Sequence, residues 1–175
     1  MYLKEKGLTS PYRKYPMLLA SILLASSFIR VPLVQAESIT DSMVVYKSPT
    51  CGCCTAWVEH MTEKGFNTLV KHPSNISHIK KQLNIAQQNQ ACHTAVLQNY
   101  VFEGHIPAQV IQKFLKHKPL DSHGLAVPNM PMGSPGMDNG KAFNPYQVYL
   151  LNKNGSRLPY ARVSTEKIIY AEQGS

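Results

Sequence analysis

The chain has 175 residues, of which 43% are hydrophobic and 16% are charged, a composition that excludes a disordered protein and fits one compact domain with accessory segments. The net charge is +8 at pH 7, and residues 1–36, with five Lys or Arg and one acid, carry +4 of it. The remaining lysines lack interleaved aromatic residues or a nucleic-acid motif, so we expect solvated helix faces and no nucleic-acid partner. The lysines concerned include Lys80, Lys81, Lys113, Lys116 and Lys118.

The N-terminus has the three parts of a secretory signal peptide. A basic start precedes the apolar run 17–29, and small residues at 34 and 36 supply a cleavage site. We expect cleavage after Ala36, which leaves a domain over residues 37–175 in the periplasm of a bacterium. An uncleaved anchor is the alternative, but Arg30 and Pro32 interrupt the run before the roughly 20 residues of a membrane span. No stable span is therefore expected after cleavage.

The first elements of the domain form a predicted β-α-β unit. The β-prone run 43–47 is broken by Ser48-Pro49-Thr50, so a strand ends just before Cys51. From Thr55 the apolar spacing is helical and Gly65 marks the helix end, after which 66–70 resembles a second strand. Parallel strands joined in this way place the Cys51 loop at the carboxyl edge of the sheet.

The elements that follow complete an α/β fold. We expect a helix from Ser74 through Leu83, a hairpin over 94–103 that turns near Asn99, and a helix that Pro107 opens and that runs to about His117. Residues 119–146 contain five Pro and four Gly, which predicts a long irregular loop. A hairpin over 147–163 ends the predicted structure.

Three cysteines crowd the junction of the first strand and helix. Cys51 and Cys54 have the C-x-x-C spacing of thioredoxin-like redox motifs, and a helix N-terminus favours their thiolates. Cys53 adds a sulfur that a dithiol exchanger does not need, and this favours a soft metal. Dense thiolates can bridge several ions, and Cu(I) prefers such ligands.

The cysteines have two possible uses other than copper binding. Structural zinc fits less well, because zinc sites usually draw on two separated ligand pairs. Two structural disulfides are the second alternative, with three connectivities, and the vicinal pair Cys53-Cys54 makes any disulfide arrangement awkward.

Further ligands are predicted from the rest of the chain. Cys92 and His93 begin the third strand region and are expected at the same sheet edge, although His93 as an exposed strand-end residue is an equal alternative. His105 is the next histidine candidate. The remaining histidines are expected on the surface: His60, His72, His78, His117 and His123.

The Pro/Gly-rich residues 130–137, the methionine segment, contain three methionines. Met130, Met132 and Met137 offer thioethers, which are soft Cu(I) ligands, and the segment is a candidate lid over the cysteines. Each methionine is equally well interpreted as an apolar plug that anchors an irregular loop.

Several separated motifs, in order, resemble the CopG-like proteins of a DUF metal-binding family. They are residues 46–54, 57–58, 65–66, 92–94, 103–107, 124–128 and 130–137. The resemblance spans roughly residues 43–155. It implies a thioredoxin-like mixed sheet flanked by helices, and a periplasmic copper-response protein that binds a multinuclear copper cluster and interconverts Cu(I) and Cu(II).

Three functions follow as hypotheses. The first is copper binding in copper resistance, with copper redox chemistry as its enzymatic form. The second is a thiol-disulfide oxidoreductase in which Cys51 attacks a substrate disulfide and Cys54 resolves the intermediate. The third is delivery of copper to an efflux or oxidase protein through the methionine segment.

Overall fold

The computed structural model describes residues 41–140, 142–165 and 167–172. The predicted signal peptide lies outside these residues. No helix in the described ranges is long and apolar enough to span a membrane. The elements, in chain order, are β1 (Met43–Tyr46), α1 (Gly52–Glu63), β2 (Thr68–Lys71), α2 (Ile76–Gln82), a 3-10 turn (Gln87–Asn89), β3 (Thr94–Leu97), β4 (Tyr100–Glu103), α3 (Ala108–Lys116), β5 (Ser122–Ala126), β6 (Tyr146–Asn152), β7 (Arg157–Val163) and β8 (Ile168–Tyr170).

The strands form one eight-stranded mixed sheet in the order β2-β1-β3-β4-β5-β6-β7-β8. Two neighbouring pairs are parallel, β1 with β2 and β4 with β5, and the other five are antiparallel. The predicted α/β class, with a mixed sheet, is confirmed.

The register brings four chain segments to one end of the sheet. Tyr46, the last residue of β1, pairs with Thr94, the first residue of β3. Thr94 pairs in turn with Glu103 at the end of β4, and Glu103 pairs with Ala126 at the end of β5. The segments beyond these residues therefore meet at a single edge, although they are far apart in sequence.

A buried apolar core holds the helices to this sheet. Its largest fully buried side chains include Trp57 on α1, Phe102 on β4 and Phe114 on α3. The indole Nε1 of Trp57 donates a hydrogen bond to the carbonyl oxygen of Ile106 at 2.9 Å. This bond ties α1 to the segment that follows β4, and so fixes two parts of the edge relative to each other.

Both predicted hairpins are confirmed. Gln98 and Asn99 connect β3 to β4 with φ of 51° and 64°, the paired left-handed conformations of a tight two-residue turn. Strands β6 and β7 form the second hairpin, and Gly65, with φ of 88°, follows α1 as expected.

Two expectations about the elements were wrong, and one strand was not expected. Helix α1 begins at Gly52, because Cys51 caps it, and not near Thr55. The segment 119–146 is not irregular throughout, since β5 lies within it, and β8 was not expected. Gly124 allows β5 to pair closely with β4. Its φ is 154°, and a Cβ at this position would lie 1.8 Å from the carbonyl oxygen of Val101, so the glycine permits the strand pairing and does not end the strand.

Candidate metal centre

Cys51 is the N-cap of α1. Its backbone is extended, and its Sγ accepts a hydrogen bond from the backbone N–H of Cys54 at 3.3 Å. This satisfies one of the N–H groups that the first turn of a helix leaves unpaired. Cys53 and Cys54 consequently lie in the first turn itself, where the helix dipole favours negative charge.

Cys51 and Cys54 form a disulfide, while Cys53 and Cys92 are free. The expectation that the vicinal pair makes every disulfide awkward was wrong. The bond skips Cys53 and joins residues one helical turn apart, whose Cα atoms are 5.3 Å apart, within the ordinary range for disulfides. The Sγ of Cys53 lies 3.5 Å from that of Cys51.

The fourth sulfur joins the other three. The sulfurs of Cys51, Cys53, Cys54 and Cys92 all lie within 4.8 Å of one another, although Cys92 is 41 positions beyond Cys51. A second group, Cys92 with His93 and His105, places its ligand atoms within the same 4.8 Å. Cys92 belongs to both groups, so its sulfur connects a sulfur-rich side to an imidazole side.

The imidazole of His93 is buried, so its alternative prediction as an exposed strand-end residue was wrong. Its ring lies 4.3 Å from that of Trp57 and 4.9 Å from that of His105, measured between centroids. Nδ1 is 3.3 Å from the Sγ of Cys92. Nε2 is buried and has no hydrogen-bond partner among the described residues, which is unusual for a polar atom in a protein interior.

His105 faces the same sulfur through its other nitrogen. Its Nε2 lies 3.0 Å from the Sγ of Cys92, and its Nδ1 is 2.7 Å from the carbonyl oxygen of Pro135. A carbonyl only accepts, so Nδ1 carries the proton and donates it. Nε2 therefore presents a lone pair toward the thiol, the arrangement in which a second contact fixes the tautomer of a ligating histidine.

Burial sets the protonation of this cluster. Desolvation, followed by the charge and hydrogen bonding of Cys53, raises the pKa of the Cys92 thiol to about 12. Desolvation lowers the pKa values of His93 and His105. At neutral pH Cys92 is thus a thiol and both imidazoles are neutral, so a metal ion would displace a proton from sulfur and none from nitrogen.

The methionine segment packs against the first turn of α1. A Cβ on Gly136 would lie 2.4 Å from the carbonyl oxygen of Cys53 and 2.8 Å from the backbone nitrogen of Trp57. The hydroxyl of the buried Ser134 donates to the carbonyl oxygen of Pro131 at 2.7 Å, which closes the segment on itself. The segment thus contributes closely packed backbone to the edge.

The three methionines differ in exposure. Met130 is 46% exposed, and Met132 and Met137 are partly buried. Their thioethers belong to a segment that contacts the first turn of α1 through Gly136 and contacts His105 through Pro135. Their assignment as ligands stays a prediction.

A buried ion pair supports the strand ends that carry Cys92 and His105. Glu103, fully buried, pairs with Lys80 and accepts from the backbone N–H of Ala91 at 2.6 Å and from the hydroxyl of Thr94 at 2.6 Å. It thus holds the residues on both sides of the Cys92-His93 pair. Burial raises the pKa of the Glu103 carboxyl above its usual value, and the positive charge of Lys80 only partly offsets this rise.

The prediction of Lys80 as a solvated lysine was wrong. The residue is 3% exposed. The sequence carried the signal, because Lys80 follows Ile76 by four positions and precedes Leu83 by three, on the apolar face of α2. Two histidines expected on the surface are also partly buried. Nε2 of His60 accepts from the N–H of Ala108 at 3.3 Å, and Nε2 of His123 donates to the carbonyl oxygen of Leu83 at 2.8 Å.

The fold and the donor set together define a small α/β protein with a sulfur- and imidazole-rich centre of the kind that suits soft metal ions. The family DUF411, described as a protein of unknown function, matches residues 89–137, which include Cys92, the candidate ligands His93 and His105, and the three candidate methionines. Two solved structures share the fold over nearly their whole length. "Copper resistance protein copG- Form 2" has a TM-score of 0.67 and 34% identity and covers 71% of this chain and 98% of that one.

The second structure, "Copper resistance protein copG- Form 1", has a TM-score of 0.66 and 34% identity, over 70% of this chain and 96% of that one. No protein in the curated set matches. The chain belongs to the family of these copper resistance proteins, and the resemblance to CopG-like proteins noted in its sequence is confirmed.

Proposed function

We propose that the protein is a periplasmic copper-binding protein of copper resistance that holds Cu(I) through Cys51, Cys53, Cys54 and Cys92. The observation that carries the proposal is the meeting of all four sulfurs within 4.8 Å. Thiolates are the donors that Cu(I) prefers, and the solved relatives carry the name copper resistance protein. Export through the predicted signal peptide, residues 1–36, is part of the proposal.

His93 and His105 are proposed as further ligands, since both face the Sγ of Cys92. The orphaned Nε2 of His93 supports this assignment, because a ligand would satisfy a buried atom that otherwise lacks a partner. Met130, Met132 and Met137 are proposed as accessory thioether donors at the rim of the centre.

A multinuclear cluster is the form of binding that we propose. Four sulfurs and two imidazoles together exceed the four donors that one tetrahedral ion takes, and thiolates bridge soft ions readily. The mixture of donors also supports interconversion of Cu(I) and Cu(II), because thiolates favour the reduced ion and imidazoles suit both. Transfer of copper to an efflux or oxidase protein is proposed through the methionine segment.

We also propose that residues 43–116 form a thioredoxin-like unit. The support is the element order β-α-β-α-β-β-α together with the strand order β2-β1-β3-β4, in which β1 and β2 are parallel and β4 lies antiparallel to β3. In this interpretation β5 to β8 extend the unit into the larger sheet.

A Cu(I) titration of the reduced, metal-free protein tests the proposal. Anaerobic competition with a Cu(I) chelator should give more than one copper per chain. The variants Cys53→Ser and His93→Gln should lower the affinity or the stoichiometry, whereas the matched control His78→Gln, at an exposed histidine, should not. Binding of less than one equivalent, or binding unaffected by Cys53→Ser, would contradict the cluster.

The disulfide between Cys51 and Cys54 favours one second function, thiol-disulfide exchange. In the reduced enzyme Cys51 would attack a substrate disulfide and Cys54 would displace the substrate thiol, which leaves the observed bond behind. Turnover of a disulfide substrate by metal-free protein separates the two functions. Exchange retained in Cys53→Ser supports the oxidoreductase, and no exchange in the parent protein supports copper binding.

A further inference from the structure

We propose that Lys47 is the counter-cation of the thiolate centre, a charged residue that strengthens metal binding by balancing the negative charge of the loaded cysteines. The inference rests on the proposed copper binding and adds a residue that is not a ligand. Lys47 lies just beyond the end of β1, four positions before Cys51.

The burial of Lys47 is the first observation. Its side chain belongs to a residue only 4% exposed, and its Nζ donates to the carbonyl oxygen of Ser48 at 2.9 Å. No carboxylate lies within ion-pair distance of Lys47 in the part of the chain that the structure describes. Buried ammonium groups are costly unless they are paired, so the fold places a positive charge here without a protein anion to balance it.

Lys80 differs from Lys47 in having an anionic partner. Lys80 is buried to the same degree, but it pairs with Glu103, and that pair is electrically neutral. Of these two buried lysines, Lys47 is therefore the one whose positive charge is not balanced by a carboxylate.

The second observation places this charge beside the donor set. Strands β1 and β3 are antiparallel, and Tyr46 pairs with Thr94, so Lys47 and His93 occupy the positions directly beyond this pair, and both are buried. His93 in turn lies 3.3 Å from the Sγ of Cys92 through Nδ1. Lys47 thus acts on the imidazole side of the centre from the segment that also leads to its sulfur side.

Copper binding by deprotonated cysteines supplies the negative charge that Lys47 lacks in the metal-free protein. Four deprotonated cysteines carry four negative charges, each Cu(I) removes one, and neutral imidazoles add none. The centre stays anionic until the ions equal the thiolates in number. A buried cation nearby stabilises that anion, and in a partly desolvated site one such charge changes an affinity by about tenfold.

The substitution Lys47→Met tests this, because it removes the charge and keeps the length of the side chain. We expect the Cu(I) affinity of the reduced protein, measured by chelator competition, to fall about tenfold. The thermal midpoint of the metal-free variant should be equal to or higher than that of the parent, because an unbalanced buried charge has gone. A loss of affinity without a loss of stability is not expected of a residue that only supports the fold.

Two further variants complete the test. Lys47→Arg keeps the charge and should retain Cu(I) affinity within about threefold. Lys71→Met makes the same charge change at an exposed lysine on the neighbouring strand β2, and it should leave the affinity unchanged.

Parent-like affinity in Lys47→Met overturns the inference, and so does a lower midpoint or a failure of that variant to fold. Failure of the parent protein itself to bind Cu(I) would instead refute the proposed function, so the two outcomes are distinguishable.

Discussion

Gly136 packs the methionine segment against the first turn of α1, and Gly136→Ala should weaken this packing. Adding a Cβ places a carbon 2.4 Å from the carbonyl oxygen of Cys53 and 2.8 Å from the nitrogen of Trp57, both of them backbone atoms that cannot rotate away. Overpacking of this kind costs about 1–3 kcal/mol, and the positive φ of 80° adds about 1 kcal/mol for any residue with a Cβ.

Gly140→Ala is the matched control for this change. Gly140 also has a positive φ, 67°, but a Cβ there meets nothing within 4 Å. It should therefore lose only the conformational part, about 1 kcal/mol. The difference between the two variants isolates the contact with the helix.

Chemical denaturation and the imidazole spectrum of His105 measure the outcome together. We expect Gly136→Ala to be less stable than Gly140→Ala by about 1–3 kcal/mol. Because Pro135 precedes Gly136 and accepts from Nδ1 of His105, the ¹⁵N signals of His105 should also shift toward a mixture of tautomers. Equal stability of the two variants, with an unchanged His105 spectrum, would refute the reasoning.

Three further predictions concern protons, charge and redox state. Apparent Cu(I) affinity should fall as the pH is lowered, because the raised pKa of Cys92, about 12, means that copper must displace its thiol proton. The fall should be up to about tenfold per pH unit for each thiol proton displaced. Equal affinities in titrations at pH 8 and pH 6 would contradict this. Glu103→Ala should destabilise the protein by about 3–5 kcal/mol in denaturant titrations, since it strands the Lys80 charge, whereas the double variant with Lys80→Met should recover part of the loss. The disulfide-bonded protein should bind fewer copper ions than the reduced protein, because two-electron reduction of the Cys51–Cys54 bond yields two thiolates. Equal copper stoichiometry in the two forms would show that these sulfurs are not ligands.

Local patterns in the sequence predicted the parts of the fold that local chemistry decides. The hairpin at Gln98-Asn99 and the helix end at Gly65 follow from backbone preferences of a few adjacent residues. The parallel β1–β2 pair follows from the helix that connects the two strands. Strand β5 was missed because the Pro and Gly count indicates a loop, whereas Gly124 serves a close approach to Val101 on another strand. Only the tertiary partner distinguishes these two uses of glycine.

The candidate metal centre could likewise be predicted only in part. The crowding of Cys51, Cys53 and Cys54 is visible in the sequence, and the convergence of Cys92 was expected from the order of the elements. The disulfide and the buried state of His93 depend on side-chain packing, which residue spacing does not specify. The burial of Lys80 was recoverable from the apolar positions on its own helix, while that of Lys47, at a strand end, was not.

The strand register has a consequence for when the centre can exist. Three thiols are neighbours in the chain and can meet a metal ion before any tertiary structure forms. Cys92, His93 and His105 reach them only after β1, β3 and β4 have paired, because Tyr46, Thr94 and Glu103 align these strand ends. A partly folded chain consequently offers an incomplete set of donors, and tight binding becomes a property of the finished sheet.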